Sequence, residues 1–482
     1  DYMMMVIYDG DLDAPVSWFL GNDQTNNWYG IRNQNGEEGF RCFTHDAEHI
    51  MKAAERTLGG VVNRTGPYIA GLYFQHSNPQ WIHQRLMLVP EYRLRFADHA
   101  HKHLFNGGLL TADAAIGRFL ARAQQIDMAI IAESARWGTS TLNKDTWQSA
   151  INNEVSNFFP SRSGVIISQL KNTRLWDGDV VAPLYPSVGA LSFNQHGGSV
   201  HKGFSLTMSA PVGSSYIYYT LNGSDPREPL TGNAVGTQYA GPITLSKSVH
   251  VKARVLYGGT WSALNEAIFA IGPVVENLRI TEIMYHPKYT GDPNDPNEEF
   301  IELKNIGPNT LNLNLVKFTE GIHFTFPDVE LASGEHIVVV KEHTAFEAKY
   351  GTSVNTAEGQ YTGSLANDGE RIRLEDAIGR TILDFEYGDD WYPITDGGGF
   401  SLTMIDPSAS AMYGSDEGMV AHWKFDDGSG GTAIDSVGTC DGILVGDTTW
   451  TAGRIGTALS FDGYGDYVAV DGGVDALAGN SF

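Results

Sequence analysis

The chain has 482 residues, roughly three times a domain of about 150 residues, so several cores are expected rather than one enlarged core. Hydrophobic residues make up 42% and charged residues 18%, which excludes a disordered polyelectrolyte. The net charge of −25 repels phosphate backbones and anionic lipid, so no nucleic-acid partner is expected.

Residues 1–176 carry helical periodicity. Thr111 and Asp113 open a stretch in which Ile116, Phe119, Leu120, Ala123, Ile126 and Ile130 recur at three- and four-residue steps, and Gly138 stops it. A second helix is predicted from Asp145, with Trp147, Ile151, Val155 and Phe158 on one face and Pro160 ending it. Val165, Ile166, Ile167 and Leu170 suggest another. From Val180 to Gly198 the helical period disappears among prolines, which marks a boundary. In "VHVKARV", Val249, Val251, Ala253 and Val255 alternate with His250, Lys252 and Arg254, as a half-buried strand requires. "FSLTMS", "YIYYTLNGS" and "GPITL" add short strands in a stretch the size of a small sandwich. From Leu278 a second β block follows, with "LRITEIMY", "EFIELKNIG", "HIVVVK", "ERIRLED", "RTILDFEYG" and "FSLTMI". The polar stretch 406–418 precedes a third β block that reaches Phe482. Its roughly 65 residues are too few for a large sandwich, and the chain starts at Asp1, so it reads as clipped at both ends. No apolar run of about 18 residues is present to span a bilayer, and Cys42 and Cys440 are too far apart in sequence to suggest a disulfide framework.

The first block resembles the spore-coat CotH kinase family through "DYMMMVIYDGDLDAPVSWFLGNDQTNNWYG", "GFRCFTHDAEHIM", "RFADHAHKHLFNGGLLT", "IIAESARWG" and "NNEVSNFFPSRSGVIISQL". The second resembles the Fn3-like module at the C-terminus of chitobiases through "IYYTLNGSDP", "YAGPITLSKSVHVKARV" and "GGTWS". The third is similar to lamin-tail domains through "LRITEIMYHP", "EEFIELKNIG", "FTFPDVELASGEHIVVVK" and "WYPITDGGGFSL". The fourth resembles the start of a concanavalin-like LamG module through "GMVAHWKFDDGSGGTAIDSVG" and "GTALSFDGYGDYVAV". The implied plan is a multidomain chain, with a CotH-like domain over 1–176, an Fn3-like β-sandwich over 186–272, a lamin-tail domain over 274–405 and a LamG-like domain over 418–482. In fold class this is a mainly α (α+β) kinase-like C-lobe, then immunoglobulin-like sandwiches, then the start of a jelly roll. Such modules imply a secreted or cell-surface bacterial protein.

Phosphoryl transfer needs a carboxylate to orient the acceptor hydroxyl and hard oxygens to hold Mg²⁺ against the phosphates of ATP. Asp23, Asn27 and Asp46 stand in the order of a kinase catalytic base, metal-binding amide and metal-binding carboxylate. The CotH resemblance implies ATP-dependent phosphorylation of protein Ser, with Asp23 as base, Asp46 as metal ligand and Asn27 beside them. Glu48 either adds a metal ligand or is solvated, and Asp and Asn are equally at home as turn caps. Kinases place a glycine-rich loop and a phosphate-pairing Lys upstream of such a set, and nothing before Asp1 remains to supply them, so no transfer is expected from this stretch by itself. His45, Glu48 and His49 fit an H-x-x-E-H zinc-protease pattern, which requires a helix, with Glu133 a third ligand that no motif supports. His99 and His103 read as a solvated helix face. In the β modules Tyr216, Tyr218 and Tyr219 are candidates for a sugar platform. Asp225 reads as a turn residue. Asp292, Asp295, Glu298 and Glu299, and Asp462 with Asp466, are candidate Ca²⁺ or glycan loops. The competing class is non-enzymatic: an extracellular scaffold whose modules engage glycans or surface proteins.

Overall fold

A computed structural model describes residues 1–36, 39–51, 62–68, 76–175, 180–211, 213, 215–289, 297–404, 423, 425, 427–435, 440–452, 457–462 and 464–470. The chain divides into two compact units, Asp1–Ala270 and Ile271–Phe482.

In the first unit, helix α1 (Tyr2–Asp9) is stopped by Gly10, whose φ of 69° is the left-handed cap that glycine adopts most readily. An antiparallel ribbon of β1 (Trp28–Ile31) and β2 (Arg41–Thr44) follows. Then come α2 (Pro79–Leu86), α3 (Pro90–Leu104) and α4 (Ala112–Trp137), the last bounded by Thr111 and Gly138 as the sequence predicts. The predicted α4 face is only partly used. Ala115 and Ala123 are buried, whereas Leu120 and Ile126 are exposed.

Pro160 does not end the second predicted helix. Helix α5 (Lys144–Asn153) passes through a π-helical turn, Glu154–Phe158, into α6 (Phe159–Lys171). Pro160 stands at the start of α6 directly after the π-helical turn, the kind of local widening that lets a continuous helix accommodate a residue without an N–H. Met4, Ile7, Tyr8, Ala97, Phe159, Ile166 and Leu170 make the helical core.

The same unit contains an antiparallel sheet in the order 198–200, 265–271, 249–257, 216–220 and 237–238. Strand Val249–Tyr257 buries Val249, Val251, Ala253 and Val255 as its alternation predicts. Arg254, predicted to face solvent, is also buried. It reaches α3: the guanidinium donates to Asp98 Oδ1 and Oδ2 at 2.7 Å each, and to Asp225 Oδ1 at 2.8 Å and Oδ2 at 2.6 Å. Beside it Arg227 forks onto both carboxylate oxygens of Glu91 at 2.8 Å, and Lys102 meets Glu266 at 2.9 Å. Asp225 is therefore both the turn residue expected, accepting from the Arg227 amide at 3.0 Å, and one of the two carboxylates of an ion triad centred on buried Arg254.

In the second unit all six predicted strands of the 278–405 block are present. One four-stranded sheet runs in the order 336–340, 300–305, 278–284 and 402–403, and another in the order 324–325, 317–320, 370–375 and 381–387. Ile280, Ile301, Leu303 and Ile337 of the first sheet and Phe318, Ile372, Leu374 and Leu383 of the second share one apolar core with Phe326 and Tyr285. Beyond it, strands Thr432–Ala433, Gly442–Val445 and Tyr467–Val470 form a small antiparallel sheet. Cys42 and Cys440 are both free.

Candidate functional site

The segment between α1 and β1 is fixed by carboxylates and amides rather than by regular structure. Asp11 Oδ1 accepts from the amides of Asp13 and Ala14 at 2.9 and 3.1 Å, which turns the chain sharply. Val16 bridges to Thr25 in an antiparallel pair, closing a loop whose tip exposes Trp18, Phe19 and Leu20. Asp13, buried, accepts from Ser17 Oγ at one oxygen and from Asn26 Nδ2 and Asn27 Nδ2 at the other, both at 2.9 Å. Asn27 Nδ2 also donates to the backbone oxygen of Asp46 at 3.2 Å, and the His45 amide donates to the Asn27 backbone oxygen at 3.0 Å. The β1–β2 ribbon, with Trp28 opposite Thr44, sets this convergence, because residues flanking its open end must meet.

Of the predicted site residues, Asn27 and Asp46 come together at that open end, both in left-handed backbone conformation with φ of 47° and 51°. Asp23 is half-buried in the loop between the Val16–Thr25 bridge and its tip, where Arg64 holds Asn22 Oδ1 at 2.8 Å and the backbone oxygen of Val16. Asp46 and Glu48 are exposed. Glu48 Oε1 lies 3.4 Å from His49 Nε2. Residues 45–50 form bends and turns with no helix, so His45, Glu48 and His49 do not present the helical face that the zinc-protease pattern needs. Asn27's Nδ2 is engaged by Asp13 and Asp46, and its carbonyl oxygen together with the Asp46 carboxylate supplies the hard-oxygen donor type that suits Mg²⁺. The residue that orders this set, Asp13, was not singled out in the sequence, although the spacing of Asp9, Asp11 and Asp13 was there to be read.

Two neighbours are shifted by burial. Burial, and secondarily the charge of Asp11, pushes the Asp9 carboxyl up to about 7. Burial also raises the Asp11 carboxyl, and its Oδ2 has no hydrogen-bond partner among the described residues.

The β-module candidates sort differently. Along strand Tyr216–Thr220, Tyr216 and Tyr218 lie on one face and Tyr219 on the other, so the three tyrosines do not form one platform. Tyr218 packs on Trp261 and Tyr219 on Tyr239. Asp292 and Asp295 lie outside the described residues. Glu298 and Glu299 are buried and structural: Glu298 pairs with Lys349, and Glu299 accepts from Tyr361 Oη and the Leu365 amide at 2.9 Å each. Asp462 and Asp466 meet a third carboxylate, Asp447, with one oxygen from each within 4.8 Å of the others. Asp466 is held below the usual carboxylate range, chiefly by the Asp462 amide.

Two family matches cover parts of the chain: Lamin Tail Domain over residues 273–389 and Fn3 associated over residues 206–263. The third block is therefore a lamin-tail domain, and the second contains an Fn3-associated domain. No curated protein matches the chain. A crystal structure of a DUF4876 family protein from Bacteroides thetaiotaomicron is similar over 37% of this chain and 65% of that chain, at 12% identity and a TM-score of 0.17. The chain thus spans just under two thirds of that protein. Among the described residues no helix is long and apolar enough to cross a membrane.

Proposed function

We propose that residues 11–49 are the acceptor-and-metal side of a phosphoryl-transfer site of CotH-like kind, carried by a secreted or cell-surface multidomain protein whose β modules, including a LamG-like fourth, serve as binding or spacing elements. The observation that carries this reading is the bridge made by Asn27 Nδ2 between the Asp13 carboxylate and the Asp46 backbone. It joins the loop that carries Asp23 and Asn27 to the turn that carries Asp46, at the open end of an antiparallel ribbon, which supports reading them as a base loop and a metal loop. In this reading Asp23 orients the acceptor hydroxyl of a protein Ser and takes its proton. Asn27 and Asp46 offer oxygens to Mg²⁺, which when bound neutralises charge on the phosphates of ATP. Asp13 is a positioning residue: it fixes the Asn27 amide so that the Asn27 side chain cannot swing out of the loop.

The test is Mg²⁺-dependent ATP binding together with transfer of labelled phosphate to a Ser-containing protein, on this chain and on any longer form of it. Asp46→Asn should lower Mg²⁺-dependent nucleotide affinity by at least about tenfold, as expected when a charged metal ligand becomes neutral. Asp23→Ala should leave that binding intact and remove transfer where transfer is seen. Absence of Mg²⁺-dependent nucleotide binding in every form would overturn the kinase reading in favour of an adhesive scaffold.

A further inference from the structure

Helix α3 places His99 and His103 one turn apart on a single face, away from His101, whose Nδ1 pairs with Tyr185 Oη at 2.9 Å. The residue that precedes α1 completes a cluster there. Asp1 Oδ1 lies 2.7 Å from His99 Nδ1 and 3.5 Å from His103 Nε2, and one ligand atom from each of the three residues lies within 4.8 Å of the others. Tetrahedral Zn²⁺ with nitrogen and oxygen ligands at about 2.0–2.2 Å separates its ligand atoms by roughly 3.3–3.5 Å, so side-chain shifts of about 1 Å would bring all three onto one ion. Lys102, which separates His101 from His103 in sequence, is engaged by Glu266 at 2.9 Å. His99, but neither Asp1 nor His103, also lines a cavity of about 840 Å³ between α3 and the β module.

We propose that Asp1, His99 and His103 form a binding site for a borderline-soft divalent cation of the Zn²⁺ class, with at least one coordination position left for water or an exogenous ligand. Two imidazoles and one carboxylate select such ions over Mg²⁺ and Ca²⁺, which prefer all-oxygen shells. The site is distinct from the carboxylate–amide loop described above, which follows the opposite end of α1. A bound ion would tie the start of α1 to the C-terminal half of α3, so that occupancy and the folding of this unit become linked.

The experiment is calorimetric titration of the metal-free chain with Zn²⁺, with Co²⁺ as a spectroscopic probe of coordination number. The expected result is uptake of one Zn²⁺ at this site, undisturbed by millimolar Mg²⁺, and a visible Co²⁺ spectrum of four- or five-coordinate intensity. Asp1→Asn and His103→Ala should each weaken Zn²⁺ binding by at least about 10–100-fold and change the Co²⁺ spectrum, the size of effect already known for groups one shell further out. The Asp1 side chain is 70% exposed, so Asp1→Asn keeps the fold, and circular dichroism checks His103→Ala. Absence of stoichiometric Zn²⁺ uptake by the unaltered chain, or equal uptake by both variants, would overturn the proposal.

Discussion

The lamin-tail sandwich and the contact between α3 and the Fn3-associated module are both well buried, yet opposite chemistry holds them. The sandwich closes on Ile, Leu, Val and Phe side chains from two sheets, with Phe326 only 1% exposed. The α3 contact closes on the Asp98–Arg254–Asp225 triad, with the Arg254 side chain 2% exposed. An apolar core tolerates loss in proportion to the volume removed. An ion triad is all-or-none, because each member is costly in the interior without the others.

Arg254→Met tests this most directly. It leaves Asp98 and Asp225 facing each other without a cation, and should destabilise the first unit by about 3–5 kcal/mol. Calorimetric scans should show its transition move while that of the lamin-tail module stays in place. Adding Asp98→Asn and Asp225→Asn should restore most of the loss, since the uncompensated charge is then gone. Phe326→Ala should cost the lamin-tail module a similar sum, about 3–5 kcal/mol, through a cavity. No change of a polar partner should restore that loss. Rescue of Phe326→Ala by such a change, or failure of the rescue in the triad, would erase the distinction.

Proton linkage sharpens the comparison, because the first unit buries titratable groups with opposite signs. Burial holds His83 down at about 3 and His101 at about 4, and the Nε2 atom of each is buried without a hydrogen-bond partner among the described residues. Below the unfolded value of about 6.5 the unfolded chain takes up these protons and the native chain does not, so stability is lost as pH falls toward those values. Asp9, raised to about 7, acts in the other direction: the native chain holds its proton and the unfolded chain does not until about pH 4. Between pH 6 and 5, Asp9→Asn should therefore make the loss of stability steeper by about 1.4 kcal/mol per pH unit, and His101→Asn should make it shallower by nearly as much. Denaturant titrations at a series of pH values measure both slopes. Parallel slopes for the two variants and the parent would show that neither group is buried as described.

The lamin-tail strands were legible because period-two alternation is a local signal, and "LRITEIM" or "ERIRLE" carries it within a few residues. The same rule misplaced Arg254, whose outward position in "VHVKARV" is outward only until α3 packs there. Nothing local to Asp98 or Glu91 marks them as ion partners for residues more than a hundred positions away. Asp23, Asn27 and Asp46 were readable only as an order of residue types, not as a pairing of Asn27 with Asp46. That pairing depends on the Asp13 carboxylate and on ribbon register. His99 and His103 were visible as a helical pair, but the third member, Asp1, is nearly a hundred residues away in sequence.

The smallest effect belongs to the edge of the α3 contact. Arg227 forks onto Glu91 with both bonds at 2.8 Å, and the Arg227 side chain holds Glu91 below the usual carboxylate range. The Glu91 side chain is 30% exposed, so water screens this pair in a way it cannot screen Arg254. Glu91→Gln keeps the shape and one acceptor oxygen and removes the charge. It should cost at most about 1 kcal/mol at low salt, and less as ionic strength rises. The Arg254→Met penalty should change less over the same salt range, since the Arg254 side chain is 2% and Asp98 18% exposed, although Asp225, at 29%, is as open as Glu91. Measuring both variants at low and at molar salt separates a solvated rim from a desolvated centre within one contact. An equal salt dependence would mean that water reaches the triad, and the all-or-none account of Arg254 would then fail.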